Sequence, residues 1–300
     1  MKTIFVILGP TSTGKTSLAV ELCKRFSGQI ISADSRQIYR KMDIGTGKIP
    51  FTTNVTAQNF KNYWTLDDIV VWGYDLANPD EYFSAYDWAS YALPKAKEIL
   101  ESGKTAFLVG GTGFYIDIFT ARQKPAQIKP DFNLRKELEL ENLENLQKQL
   151  TSLNQKVFDS IDNKNPARLI RAIEIELGKK SATPLPYLEN VNFEFIGLTA
   201  DRLVLNERAD KWLETIWENG LLPETESLID AGYASARPLN SLIYKSAKTG
   251  DKDQARIDLH HYIKRQLTYF KKNPSTTWFN ITDPNFATAV SNHVQSKVDG

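Results

Sequence analysis

The sequence predicts an α/β fold: a P-loop, doubly wound parallel sheet with helices on both faces, plus a small helical insertion and a helical C-terminal region. Three observations predict it. Residues 3–8, TIFVIL, are an unbroken β-branched and aromatic run, the pattern of a strand buried on both faces of a parallel sheet. Residues 9–16, GPTSTGKT, follow at once and fit G-x-x-x-x-G-K-T, the phosphate loop that joins such a strand to a helix. SLAVELCKRF (17–26) then has helical apolar spacing, and QIISA (29–33) is a second buried run ending at Asp34. Strand, glycine loop, helix, strand is the opening βαβ unit of this class.

The remaining elements follow in order. Residues 43–80, rich in Thr, Asn and Gly, are expected to be irregular. Residues 81–103 have helical spacing, with Pro94 expected to kink or break the helix and Gly103 placed to cap it. TAFLVGG (105–111) is another buried strand running into a glycine turn, and TGFYIDIFTA continues as a helix. The texture changes at about 121. QKPAQIKP suits an extended linker, and the charged, Leu-spaced residues up to 163 form a helical insertion. NPARLIRAIEIELG (165–178) is an amphipathic helix, with Asn165 as cap and Pro166 in the first turn. NFEFIGLTA (192–200) is a late core strand, two helices fill about 201–231, and a last amphipathic helix spans 251–272. The expected divisions are therefore 1–120 for the first part of the core, 121–163 for the insertion, and 164–300 for the rest of the core and the C-terminal helices. Strand order does not follow from periodicity.

Composition excludes several classes. Three hundred residues with a net charge of +1 do not announce a nucleic-acid partner globally, so any such signal must be local. The single cysteine, Cys23, excludes an internal disulfide and a multi-cysteine zinc site. Met1-Lys2-Thr3 leads directly into the first strand, without a secretory leader, and no apolar run reaches the ~20 residues of a membrane span. A cytoplasmic monomer is expected, with no membrane association.

In the phosphate loop, Gly9, Pro10, Thr11, Ser12, Thr13, Gly14, Lys15 and Thr16 place successive N–H groups around an anion. Lys15 supplies a point charge, and the Thr16 hydroxyl is placed to bind Mg²⁺. A nucleotide hydrolase adds a strand ending in an acid to complete its metal site. Here AFLV ends in Gly110-Gly111-Thr112-Gly113, and only QIISA ends in an acid, Asp34. This argues against a motor or hydrolase. Asp34, on a strand expected beside the loop strand, is a candidate base or metal neighbour, with a turn or N-cap role as the alternative.

GPTSTGKT, IISADSRQIYRKMDIGTGK, LVGGTGFY, NPARLIRAIEI and YIKRQLTYF occur in that order. Together they resemble the tRNA dimethylallyltransferases (isopentenyl transferases), and the likeness runs to about residue 270. The resemblance implies transfer of a dimethylallyl group from dimethylallyl diphosphate to the N6 amino group of the adenosine beside the anticodon, in tRNAs reading codons that begin with U. The cradled group is then a diphosphate leaving group. The partners implied are dimethylallyl diphosphate and the tRNA anticodon stem-loop, with Mg²⁺ as cofactor. By the same resemblance Thr11 lies near the scissile oxygen and Asp34 accepts the N6 proton. Asp34, Ser35, Arg36, Gln37 and Thr112 contact the tRNA, as do Ala167, Arg168, Leu169, Ile170 and Arg171.

From spacing alone, Arg168 and Arg171 share a helix face and suit either a phosphate path or a salt bridge to Glu174. Residues 237–272 carry a local basic excess, including Lys264 and Arg265, which suits an RNA backbone. The opposite face of that helix is expected to bury Ile257, Ile263, Leu267 and Phe270, with Tyr262 and Tyr269 in the core. His260 and His261 are adjacent and point to different sides, so they do not form a metal pair. The chain departs from the family pattern at Ile243 and Ser246, at Leu259-His260, at VWGYDLANP, at Arg36 and at Asp117. The competing readings are an adenylate isopentenyltransferase or small-molecule P-loop kinase, and a binding protein that has lost catalysis.

Overall fold

The computed structural model describes residues 1–50, 55–125, 128, 130–178 and 184–298. Two compact units emerge, 1–123 with 186–300, and 124–185.

The larger unit is built on an eight-stranded sheet. Its elements are β1 (Lys2–Leu8), α1 (Lys15–Arg25), β2 (Gly28–Ser32), β3 (Ala57–Asn59), β4 (Trp64–Leu66), β5 (Ile69–Trp72), α2 (Ala85–Glu101), β6 (Thr105–Gly110) and α3 (Gly113–Phe119). The smaller unit contributes α4 (Phe132–Glu139), α5 (Leu143–Leu153), α6 (Gln155–Ser160) and α7 (Pro166–Leu177). The chain then adds β7 (Val191–Thr199), α8 (Arg202–Ile216), α9 (Leu222–Leu228), α10 (Leu242–Ala247), α11 (Lys252–Phe270), β8 (Thr276–Asn280) and α12 (Phe286–Val298).

Strand order is β3-β4-β5-β2-β6-β1-β7-β8. The six strands from β5 to β8 are parallel, and β3 and β4 add an antiparallel edge. The apolar run of β1 explains its place inside the sheet. Ile4, Val6 and Leu8 bury one face, and Phe5 and Ile7 bury the other against α1 and α12. The buried aromatics Trp88 of α2 and Tyr115 of α3 stack at 4.6 Å between centroids. Cys23 is buried in the α1 face, where desolvation pushes its thiol up out of the reactive range.

Several expectations change. Residues 43–80 are not wholly irregular, because β3, β4 and β5 lie there; at three or four residues each they are too short to show a period. Pro94 does not break α2, which runs unbroken from Ala85 to Glu101. A capping box between Ser84 and Asp87 starts that helix, and its apolar face buries Trp88, Ala92, Leu93, Ala96 and Ile99. The strand ending at Asp34 is not beside the loop strand, since β6 lies between β2 and β1. The two helices expected over 201–231 are present as α8 and α9, parted at Asn219-Gly220. Beyond 271 the chain forms β8 and α12, elements the sequence reading did not assign.

In the smaller unit, α7 packs on α4 and α5, with Leu138, Leu146, Leu150, Leu169 and Ile173 as its core. The expected boundary at 163 therefore falls inside this unit, because the apolar face of α7 is buried here. Asn165 and Pro166 do start α7 as the caps require. The Glu174 carboxylate, 1 % exposed, accepts two bonds from Arg135 at 2.9 and 2.8 Å, one from the Asp131 N–H at 2.6 Å, and one from Arg171. Of the expected linker 123–130, residues 126, 127 and 129 lie outside the described residues.

Candidate active site

Register brings three loops to one edge of the sheet. Leu8 pairs with Gly110, and Ser32 with Val109, so β1, β2 and β6 end side by side. The phosphate loop leaves the first, Asp34 follows the second, and Gly110-Gly111-Thr112 follow the third. This carboxyl edge is where open α/β sheets bind ligands. Here it encloses a cavity of about 430 Å³.

The phosphate loop is shaped by its glycines. Gly9 has φ +145°, and a Cβ there would lie 2.5 Å from the Leu198 carbonyl oxygen. Gly14, at φ +81°, precedes the first turn of α1. Within the loop the Thr13 hydroxyl donates to the Pro10 carbonyl at 2.8 Å and Lys15 Nζ donates to the same oxygen at 2.7 Å. Arg208 of α8 donates to the Ser12 carbonyl at 2.8 Å. Lys15 is held in a desolvated place, which lowers its pKa to about 8 against the opposing pull of Asp34.

Asp34 faces the same cavity as Lys15 and Thr16. Desolvation raises its carboxyl above the usual range, opposed by the Arg36 N–H at 2.9 Å and by the charges of Lys15 and Arg36. Its neighbours fix its place. The Ser35 N–H donates to the Thr112 hydroxyl oxygen at 3.0 Å, and the Thr112 N–H donates to the Ala33 carbonyl at 3.1 Å.

Gln37 lines the cavity with its amide fully used. Oε1 accepts from the Ser32 hydroxyl at 2.7 Å, and Nε2 donates to the Thr46 and Gly47 carbonyls at 3.2 and 3.1 Å. Gly45, Thr46 and Gly47 form a wall held from both ends. The Glu224 carboxylate accepts the N–H groups of Asp43, Ile44 and Gly45 at 2.8, 2.8 and 3.1 Å, and the Tyr244 hydroxyl at 2.5 Å. Lys48, fully buried, donates to the Tyr39 carbonyl and pairs with Asp43 and Asp75.

The structure thus brings Thr11, Ser12, Gly14, Lys15, Thr16, Asp34, Arg36 and Gln37 to one cavity. Other expected residues are not among those lining it. Ala167 to Arg171 belong to the smaller unit, where Leu169 and Ile170 are buried in its core. Arg171 is committed to Glu174 and to the Ile128 carbonyl at 2.9 Å. The Arg168 side chain is exposed, and its guanidinium lies 3.9 Å from the Asp162 carboxylate. Lys264 and Arg265 are exposed on α11. In the same basic stretch Lys252 and Arg256 pair with Glu214 of α8, which removes them from the free charge. The buried face of α11 is Ala255, Leu259, Ile263, Gln266 and Phe270, with Ile257 49 % exposed. Tyr262 lines the cavity instead of the core, and Tyr269 donates to Asp117 at 2.5 Å. His260 bonds Asp210 at 2.7 Å.

Sequence reasoning missed Arg208, Lys211 and Trp212 of α8, and Gln266 of α11, all of which line the cavity. LNERADKWLETIW looks like any amphipathic helix, and only the fold turns one of its faces toward the loop. Ile243 and Leu259, two departures from the family pattern, also line the cavity and add apolar surface to it. Among the described residues no cluster of three or more His, Cys, Asp or Glu side chains could hold a metal. Among the residues lining the cavity, the Thr16 hydroxyl and the Asp34 carboxylate are oxygen donors suited to a hard cation.

The family described as IPP transferase matches residues 37–273. The chain is 36% identical to the tRNA dimethylallyltransferase of Acetivibrio thermocellus, over 93% of this chain and 92% of the relative. It is 34% identical to that of Halalkalibacterium halodurans, over 94% and 92%. The solved tRNA isopentenylpyrophosphate transferase of Bacillus halodurans is similar over 100% of this chain and 97% of its own, at 32% identity and a TM-score of 0.70.

Proposed function

The chain belongs to the IPP transferase family, and we infer from this that it is a tRNA dimethylallyltransferase. It moves the dimethylallyl group of dimethylallyl diphosphate to N6 of the adenosine beside the anticodon, in tRNAs reading codons that begin with U, and releases diphosphate. The observation that carries the reaction onto this chain is the shared cavity: a phosphate loop with its lysine and a desolvated carboxylate face one space.

The chemistry follows from that pairing. The N6 nitrogen attacks the allylic carbon, the C–O bond breaks, and its electrons leave with the diphosphate. Loop N–H groups, Lys15 and Arg208 face the charge that grows there. Asp34 accepts the proton released from N6, and its raised affinity for a proton suits that task. The adenine must leave the anticodon stack to reach the site, as bases do in other base-modifying enzymes. A Mg²⁺ ion held by Thr16 and the substrate phosphates would neutralise part of the diphosphate charge. Arg36, Tyr262 and the exposed Arg168, Lys264 and Arg265 are the side chains we assign to the RNA. No described helix is long and apolar enough to cross a membrane. A cytoplasmic monomer completes the reading.

Labelled dimethylallyl diphosphate and Mg²⁺ incubated with unmodified tRNA or with AMP test it. Label in tRNA alone is expected. Label in AMP would make the protein an adenylate isopentenyltransferase, and binding without transfer would make it a binding protein.

A further inference from the structure

Gln266 is a buried amide, 5 % exposed, on an otherwise apolar face of α11. Such a group is costly unless both of its ends are bonded. Both are. Oε1 accepts the Thr11 N–H at 2.9 Å, and Nε2 donates to the Gly111 carbonyl at 2.9 Å. One side chain therefore ties the phosphate loop to the turn after β6. The turn is packed against it: a Cβ on Gly111 would lie 2.5 Å from Nε2 and 3.6 Å from Asp34 Oδ2. The next residue, Thr112, bonds on both sides of Asp34, to the Ser35 N–H and the Ala33 carbonyl.

We propose that Gln266 is a positioning residue for the transfer: its amide fixes the spacing between the loop that holds the departing diphosphate and the turn that braces Asp34. It rests on the transferase reading above. The same bond draws the Thr11 N–H away from the anion cradle. The chemistry favours a neutral amide here over a carboxylate. Both the leaving group and Asp34 are negative, and a third charge beside them would cost electrostatic energy. An amide also offers one acceptor and one donor, as the Thr11 N–H and the Gly111 carbonyl require.

The experiment compares the wild type with Gln266→Met, which keeps length and loses both bonds, and Gln266→Glu, which keeps the acceptor and loses the donor. Four quantities are read: kcat with saturating tRNA, diphosphate binding by calorimetry, hydrogen exchange at the Thr11 amide, and the melting midpoint. For Gln266→Met, kcat is expected to fall about 10- to 100-fold, the scale of a misplaced reacting group. Diphosphate binding stays unchanged or tightens, since an N–H is released to the cradle, and Thr11 exchange accelerates. For Gln266→Glu, Thr11 stays protected while kcat still falls, because the Gly111 bond is lost and a charge is added; should the methionine variant not fold, unchanged kcat in this variant overturns the proposal. Unchanged kcat overturns the proposal. So does unchanged Thr11 exchange in Gln266→Met, or a joint loss of kcat, diphosphate binding and melting midpoint, which marks a merely structural residue. A wild type that binds diphosphate yet modifies no tRNA refutes the transferase reading instead, and Thr11 exchange then judges the clamp by itself.

Discussion

Lys15 and Asp34 are each moved toward neutrality by burial, and each is partly held by the other's charge. The direction of both shifts fixes the pH dependence. At low pH Asp34 is protonated and cannot take the N6 proton, and its raised pKa sets that limb above the ordinary carboxylate range. At high pH the free enzyme's Lys15 loses its charge, at about 8. The kcat/KM for dimethylallyl diphosphate should therefore be bell-shaped with an alkaline limb near pH 8, because that ratio reports groups of the free enzyme. Initial rates at subsaturating diphosphate substrate check this, and a profile still flat at about pH 9.5 removes Lys15 from it. Asp34→Asn should cut transfer by about 100-fold or more, the usual worth of a placed base, while diphosphate still binds; undiminished turnover would assign the proton to another acceptor. The motif made Lys15 and Thr16 legible in the sequence, because the loop's chemistry is local. Arg208 and Gln266 were not legible, because their partners are 196 and 255 residues away.

The 42–48 segment is an element made by its fastenings. It has no ladder of its own, and Glu224 supplies the acceptor for three of its N–H groups. Glu224→Ala leaves those donors and the Tyr244 hydroxyl without a carboxylate. A loss of roughly 1.5–3 kcal/mol is expected, the worth of a hydrogen bond to a charged group. Amide exchange at Asp43, Ile44 and Gly45 should accelerate; exchange like that of the wild type would show that Lys48 and Gln37 hold the segment without Glu224. Helix α2 gives a second case. Propensity predicts a break at Pro94, yet the helix continues, since a row of buried apolar side chains on both sides of the proline outweighs the missing bond. Pro94 itself is exposed. Pro94→Ala restores an N–H donor to an intact helix and should stabilise by about 1–2 kcal/mol. This is the proline penalty less the entropy returned to the unfolded chain. A lower melting temperature in the variant would contradict it. The short strands β3 to β5 escaped the sequence reading for a related reason, as three or four residues carry no readable alternation.

At the scale of the whole chain, net charge is close to zero and the basic residues must be sorted by their partners. Lys252, Arg256 and Arg171 are used internally. Arg168 keeps 63% of its side chain exposed, with its guanidinium 3.9 Å from Asp162. Arg168→Ala should weaken tRNA binding more at low salt than at high salt, and should flatten the plot of log affinity against log salt by about 0.7–0.9. Parallel lines for wild type and variant would leave Arg168 a solvated side chain. The sequence by itself determined the α/β class, the phosphate loop and the caps of α7, and it carried the separate motifs whose family resemblance implied a transferase. Each of these is written in neighbouring residues, and local chemistry survives translation into one dimension. Only the tertiary structure decided that β6 separates β1 from β2, and that α7 belongs to the smaller unit. It also decided that α8 and α11 turn Arg208 and Gln266 onto the loop. These are matters of which distant surfaces bury one another, and burial depends on the whole chain's packing rather than on any window of it.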